Sequence, residues 1–244
     1  LALIEAFDMT TQSYAARKNT LEEYFDRTAS QTWAQLTSTA KVSRIRETVR
    51  AGRDRMRAQL LAYLPADLTG LSLLDAGCGT GALAIEAAAR GGTVTATDVS
   101  ASLVEVARDR TPADVLPQIR YEVGDMLDPR LGSFDHAVAM DSLIHYEASD
   151  IVAALAALAP RVRRSIAFTI APQTPALSVM HAVGKLFPRS DRAPAIVPVS
   201  PERLGSLIAA HPALKGWKIV ASDRIVSGFY TSHALVLAAP EHSA

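Results

Sequence analysis

Three clusters of residues in this sequence have the types and spacing to do chemistry on a bound molecule. The first is Asp75-Ala-Gly-Cys-Gly-Thr-Gly81, which directly follows an apolar run and directly precedes an Ala-rich one. Glycines at 77, 79 and 81 allow unusual backbone angles and let a ligand approach the main chain closely. A loop of this kind at the end of a parallel strand is where open α/β sheets take their ligands, although its spacing differs from the G-x-G-x-x-G of dinucleotide binders. The second cluster is a pair of acids at the ends of the next two apolar runs. Thr97-Asp98-Val99-Ser100 ends one of them, and the Asp98 carboxylate offers a fixed pair of acceptors that matches the two hydroxyls of a ribose. Ser100 reads chiefly as the cap of the following helix. Gly124-Asp125-Met126 ends the other run, with Asp125 either a ligand-reading acid or a turn residue. The third cluster closes the run Phe134-Asp-His-Ala-Val-Ala-Met-Asp-Ser-Leu-Ile-His-Tyr146, whose end faces the same cleft. His136 lies inside the run and reads as packing, whereas His145 is equally a cleft residue or a satisfied structural histidine.

These clusters need elements to hold them. After Gly70, apolar runs at 71–76, 93–97, 119–123, 134–140 and 165–170 alternate with helical runs at 82–90, 101–110 and 150–158. That is the pattern of a parallel sheet with crossover helices. Runs 218–221 and 229–237 read as two last strands, and the turn through Ser227 and Gly228 is too short for a parallel crossover. The expectation is an antiparallel hairpin on the edge of a mostly parallel, seven-stranded sheet. Ahead of the sheet, residues 10–33 are polar with scattered aromatics. Val42, Ile45, Val49, Met56 and Leu60 then follow three- and four-residue spacings, predicting an amphipathic helix that Pro65 stops. Between Lys41 and Arg57 this helix carries seven basic residues against two acidic ones, a solvated face or an anion-binding one. The Pro-interrupted stretch 171–201, with one helix expected at 176–186, reads as an inserted cap. The chain thus divides into an N-terminal helical lid segment, 1–65, and a core, 66–244, that carries the cap.

Of the 244 residues, 49% are hydrophobic and 20% charged, which suits a substantial core and excludes general disorder. The 25 basic and 25 acidic residues cancel, which argues against nucleic acid as a partner, because duplex affinity rests on surplus Lys and Arg. A single cysteine excludes an internal disulfide and a Cys-rich metal site and suits a reducing compartment, so a cytoplasmic location is expected. No run reaches the roughly 18 apolar residues of a membrane span, and the N-terminus reads without a signal core. Peripheral contact with a membrane stays open. Residues 1–8, ahead of Met9, are given no functional weight.

The three-glycine loop, with an acid two residues before its first glycine, resembles motif I of the class I S-adenosylmethionine-dependent methyltransferases. Further segments narrow the resemblance: Tyr24-Phe25-Asp26, Asp141-Ser-Leu-Ile-His-Tyr146, Phe168-Thr-Ile-Ala-Pro-Gln-Thr174 and Lys185-Leu-Phe-Pro-Arg189. Together with the glycine loop they resemble the magnesium-protoporphyrin IX O-methyltransferases of bacteriochlorophyll and chlorophyll synthesis, from about Tyr24 to near Leu237. Gln173 stands where the pattern leads one to expect a basic residue. The resemblance implies an α/β, Rossmann-like class I methyltransferase fold. It implies S-adenosylmethionine as methyl donor, S-adenosylhomocysteine as product, and transfer to a propionate of magnesium-protoporphyrin IX to give the monomethyl ester. It assigns Asp75, Gly77, Cys78, Gly79 and Gly81, with Asp98, Val99 and Ser100, to the cofactor. It puts Asp125 on the adenine amino group, with Gly124 in the turn and Met126 beside the ring; Met140, Asp141 and His145, at the end of the run that faces the same cleft, should then lie near the reactive sulfonium. Tyr24 and His145 are implicated in catalysis. Magnesium chelatase as a partner and a place at the periphery of photosynthetic membranes also come from the resemblance. Magnesium enters only inside the substrate, with no metal site on the protein.

The implied chemistry can be judged on its own terms. A carboxyl group has a pKa of about 4, so a propionate is already an anionic nucleophile at neutral pH. Alignment and dehydration are the harder tasks, because attack on a sulfonium neutralises opposite charges and needs the reacting atoms about 3 to 3.5 Å apart. A bidentate Arg would stabilise the reacting carboxylate in its ground state. Tyr24 and His145 are softer partners, and Arg44, Arg46, Lys185, Arg189 and Arg192 are candidates to anchor the unreacting propionate. Leu177, Met180, Val183 and Phe187, at helical spacing, suit either a flat apolar substrate or packing, and His181 either ligates the substrate's magnesium or packs. Three competing readings remain. A methyltransferase for another hydrophobic molecule, such as a quinone precursor, shares every cofactor motif. A nicotinamide-dependent oxidoreductase is opposed by the glycine spacing and the hairpin. A non-catalytic porphyrin carrier differs only in turnover.

Overall fold

The structure, a computed structural model, describes residues 14, 16–22, 24, 26, 44–173 and 196–240. Its centre is a sheet of β1 (Ser72–Ala76), β2 (Thr93–Asp98), β3 (Ile119–Val123), β4 (Phe134–Ala139), β5 (Val162–Pro172), β6 (Pro198–Val199), β7 (Lys218–Ser227) and β8 (Tyr230–Ala238). The order is β3-β2-β1-β4-β5-β8-β7, with the two-residue β6 added against the end of β5. The seven strands of the main path are those expected from the sequence, and β6 is an addition. Pairing is parallel except where β8 meets β5 and β7. The hairpin is present, yet its second strand lies inside the sheet and its first forms the edge.

β4 is buried along its whole length, as a parallel strand covered on both faces must be. Alternate residues feed two apolar layers. On one face Leu73, Val94, Val138 and Val236 pack under α1 (Arg44–Ala62), α2 (Ala82–Ala89) and α3 (Ala101–Arg110). On the other, Leu74, Ala137, Ile166 and Leu235 pack under α4 (Ala148–Leu158) and α5 (Pro201–Ala210). α5 is a helix that the sequence reading left out, although its start is marked by Pro201 at the first position and by Ser200, whose Oγ accepts from Arg203 N at 3.2 Å.

α1 lies against β7, β8 and α2 with Met56, Leu60 and Leu61 fully buried. Gly52 makes this seating possible, because a Cβ there would come within 2.5 Å of the Tyr230 ring on β8. Ala171 pairs with Pro198, so the stretch read as a cap leaves the sheet at the end of β5 and returns beside it, with Val197 and Val199 buried. The helix expected at 176–186 lies outside the described residues. Among the described residues, no helix is long and apolar enough to cross a membrane.

Candidate active site

The carboxyl ends of β1, β2 and β4 open into one cavity of about 570 Å³, walled by α1 and by Tyr14, Lys18 and Leu21 of the N-terminal segment. The glycine loop is its floor. Gly77 N and Cys78 N both donate to the Thr97 carbonyl at 2.9 Å. Gly81 enters α2 in the left-handed region at φ 79°, and a Cβ there would lie 2.7 Å from the Tyr121 hydroxyl. Only glycine meets both demands.

Two acids sit under this floor. Asp98 accepts from Gly79 N at 2.8 Å and from Ser100 N at 3.0 Å, tying the loop to the start of α3. An ionised carboxylate has about four acceptor sites, so lone pairs remain for a ligand. Burial raises the Asp98 pKa, partly offset by the Ser100 and Gly79 N–H groups. Asp75 lies deeper. Only 1% of it is exposed, and its Oδ2 is buried with no partner among the described residues. Burial, and then the charge of Asp98, push its pKa up to about 7 against the opposing Ala84 N–H. Burial together with these two acids pushes the Cys78 thiol well up, which removes it as a nucleophile.

The N-terminal segment is fastened at two places. Asp26 Oδ1 accepts from the Ser100 hydroxyl at 2.6 Å and the Ser102 hydroxyl at 3.0 Å, and Ser100 still caps α3 by accepting from Leu103 N at 3.3 Å. Asp125 accepts from Leu127 N at 2.9 Å and from the Tyr14 hydroxyl at 2.9 Å, with Lys18 Nζ at 3.3 Å. The Tyr14 ring stacks on Tyr146 with centroids 5.0 Å apart. Burial raises the pKa of the Tyr14 phenol, so it remains a donor.

The site residues expected from the sequence fall into three groups. Asp75, Gly77, Cys78, Gly79, Asp98 and Val99 line the cavity, as do Gly124, Met126, Met140, Asp141 and His145. His145 is 8% exposed and closes the 3₁₀ turn Leu143–His145. Gly81, Ser100 and Asp125 stand behind the lining as supports. Tyr24 is half-buried outside the lining, and Arg46 is exposed near the start of α1. Lys185, Arg189, Arg192 and His181 lie outside the described residues, as does the side chain of Arg44.

The chain is 47% identical over 223 residues to the magnesium-protoporphyrin O-methyltransferase of Rhodobacter capsulatus, covering 91% of this chain and 96% of the relative. The chain belongs to the magnesium-protoporphyrin O-methyltransferase family. A profile described as the magnesium-protoporphyrin IX methyltransferase C-terminus matches residues 139–239, and a general methyltransferase-domain profile matches 73–165. The chloroplastic magnesium protoporphyrin IX methyltransferase of Arabidopsis thaliana is 32% identical, covering 89% of this chain and 70% of the relative. The crystal structure of the Synechocystis PCC 6803 magnesium protoporphyrin IX methyltransferase with bound S-adenosylhomocysteine superposes with a TM-score of 0.76 at 26% identity. It covers 91% of this chain and 99% of that one.

Several lining residues escaped the sequence reading. Arg50, Arg53 and Arg57 of α1 face the cavity, and with Arg46 they are spaced four, three and four residues apart, one stripe of a helix. Tyr14 and Lys18 share a face by the same rule, but they lie in a segment without apolar periodicity. Tyr146 was visible only as part of a motif, and Tyr230, which stands behind the lining and bonds Asp141 at 3.1 Å, only as part of a strand.

Proposed function

We infer that this chain transfers the methyl group of S-adenosylmethionine to a propionate of magnesium-protoporphyrin IX. The products are the monomethyl ester and S-adenosylhomocysteine. The observation that carries this is the near full-length identity to a magnesium-protoporphyrin O-methyltransferase, and the cavity fits the donor. A glycine loop open to close approach, the Asp98 carboxylate and the orphaned Asp75 Oδ2 suit a ligand with ribose hydroxyls and cationic groups. When bound, the donor supplies a methyl group on a sulfonium, with a good leaving group at sulfur.

The protein's residues do the rest. Asp98 holds the ribose and Met126 lies beside the adenine, while Asp125, behind the lining, holds Tyr14 and Lys18 in place. The propionate oxygen forms the new bond to the methyl carbon as the carbon–sulfur bond breaks, its electron pair going to sulfur, and no proton needs to move. Tyr24 and His145 therefore act by positioning and polarising the propionate. The N-terminal segment, already fastened over the cavity through Asp26 and Tyr14, and the stretch 171–201 form lids that keep water from the reacting carboxylate. Delivery of the porphyrin from magnesium chelatase, and work at the periphery of photosynthetic membranes from the cytoplasmic side, complete the proposal. They rest on the family resemblance and on the flat, apolar character of the substrate.

The test is a methyl-transfer assay with magnesium-protoporphyrin IX, in which the ester is identified by mass. Formation of one ester per methyl group consumed is expected. Binding of both ligands without ester would make the protein a carrier, and turnover of another acceptor in its place would overturn the substrate assignment.

A further inference from the structure

Asp141 closes β4 in an unusual way. It is the single non-glycine residue with positive φ, at 54°, among the described residues. Its side chain is 5% exposed. The carboxylate accepts from Arg53 Nη1 at 2.6 Å, from the Tyr230 hydroxyl at 3.1 and 3.2 Å, and from Thr169 Oγ1 at 3.3 Å. Its own N–H donates to Thr169 Oγ1 at 2.7 Å. Four elements, β4, α1, β8 and β5, thus converge on one carboxylate. Those protein donors occupy most of its acceptor sites, which leaves it a poor ligand-reading group, and its strained backbone must have another use.

The consequence falls on Arg53. A guanidinium is a planar fork of five N–H donors that suits a carboxylate bidentately. Asp141 grips it through one nitrogen, and the side chain, 18% exposed, lines the cavity. Two of the neighbouring cations are committed elsewhere. Arg57 reaches Glu86 at 2.5 Å and Asp54 at 2.8 Å, and Lys18 reaches Asp125 at 3.3 Å. We propose that Arg53, aimed by Asp141 and Tyr230, receives a carboxylate of a ligand held in this cavity, with Asp141 as its positioning residue. This rests on the methyltransferase reading, which supplies two sources of that chemistry, the amino-acid carboxylate of the donor and the unreacting propionate of the acceptor. The reacting propionate is excluded, because a bidentate grip would hold it in its ground state.

The test compares ligands with and without the carboxylate. Calorimetry measures S-adenosylhomocysteine and 5′-methylthioadenosine, which shares the nucleoside and thioether but lacks the amino acid, and an absorption titration measures magnesium-protoporphyrin IX. Arg53→Gln should weaken at least one carboxylate-bearing ligand by about tenfold or more while 5′-methylthioadenosine is unaffected. Arg53→Lys should recover part of the loss, and Asp141→Asn should weaken the same ligand to a smaller degree. A loss confined to S-adenosylhomocysteine identifies the donor as the source, and a loss confined to the porphyrin identifies the propionate. Unchanged affinity for both, or an equal loss for 5′-methylthioadenosine, overturns the proposal. If Arg53→Gln does not fold, the same comparison is read on Arg53→Lys. Failure of the wild type to bind S-adenosylhomocysteine at all would sink the methyltransferase reading instead.

Discussion

Replacing Asp75 by Asn should make the protein more stable and a poorer binder of its methyl donor. The acid is 1% exposed, one of its oxygens is an orphan, and burial pushes its pKa up to about 7 from 3.8. Between those two values the unfolded chain has released the proton and the folded chain keeps it. Stability due to this group is therefore full below pH ~4, falls as pH rises, and is lost above pH ~7. A shift of roughly three units at about 1.4 kcal/mol each comes to about 4 kcal/mol, on the order of 10 °C in melting temperature for a chain of this size. Asn keeps the shape, can still accept from Ala84 N, and brings no charge to bury. Thermal unfolding of ligand-free wild type and Asp75→Asn from pH 4.5 to 8 measures this. The variant's advantage should be small at the acid end and grow to its full size by pH 8. Taking the difference between the two proteins cancels His136 and His233, whose pKa values burial lowers. An advantage that does not change with pH, or a wild type that melts higher at pH 8, refutes the reasoning. S-adenosylhomocysteine should bind the variant less tightly, because Asp75→Asn leaves no negative charge to offer a cationic group of the ligand at the position of the orphaned Oδ2.

Asp98→Ala should weaken S-adenosylhomocysteine about tenfold or more, the worth of one charge-assisted hydrogen bond; an unchanged dissociation constant in a folded variant takes Asp98 out of the site. Hydrogen exchange should slow in residues 14–26 and 171–201 when S-adenosylhomocysteine and the porphyrin are bound together, whereas protection limited to the glycine loop would end the lid idea. His145→Ala and Tyr24→Phe should lower turnover far more than donor binding. Should wild-type turnover follow a deprotonation near neutral pH that vanishes in His145→Ala, His145 is a base and positioning is the wrong account. Met56→Ala, at a side chain with no exposure, should cost about 3 kcal/mol in denaturant unfolding.

The parallel half of the sheet was legible because burial on both faces leaves mostly apolar runs, as at 71–76 and 134–140. β7 was legible only at its start. It runs on to Ser227 through Ser222, Asp223 and Arg224, which an edge strand tolerates because its ladder is made by the backbone and its side chains meet water. The arginine stripe of α1 shows the same limit at the site. Its spacing is identical whether it faces solvent or a cavity, and what decides is the seating of Gly52 on Tyr230, a contact made far away in sequence. The glycine loop and Asp98 needed no such information, since strand, turn and helix sit side by side in the chain. The bond from Tyr14 to Asp125 spans 111 positions, and no local pattern announces it.

The seating of α1 on β8 also has a consequence for how the protein is made. Ser227 donates to the Thr48 carbonyl at 2.9 Å, and Tyr230 lies under Gly52, so the first long helix docks on the last strand. On the ribosome, Met56, Leu60 and Leu61 emerge before any of the residues that bury them. Leu73 and α2 supply part of their cover soon after, but the part that β8 gives must wait for roughly 170 more residues, on the order of 10 to 30 s at ordinary elongation speeds. Through that interval the nascent chain shows an apolar stripe to chaperones, and β5 lacks the neighbour that makes it an interior strand. A product cut short before β8 would leave α1, and with it the cavity wall that carries Arg50, Arg53 and Arg57, without its seat.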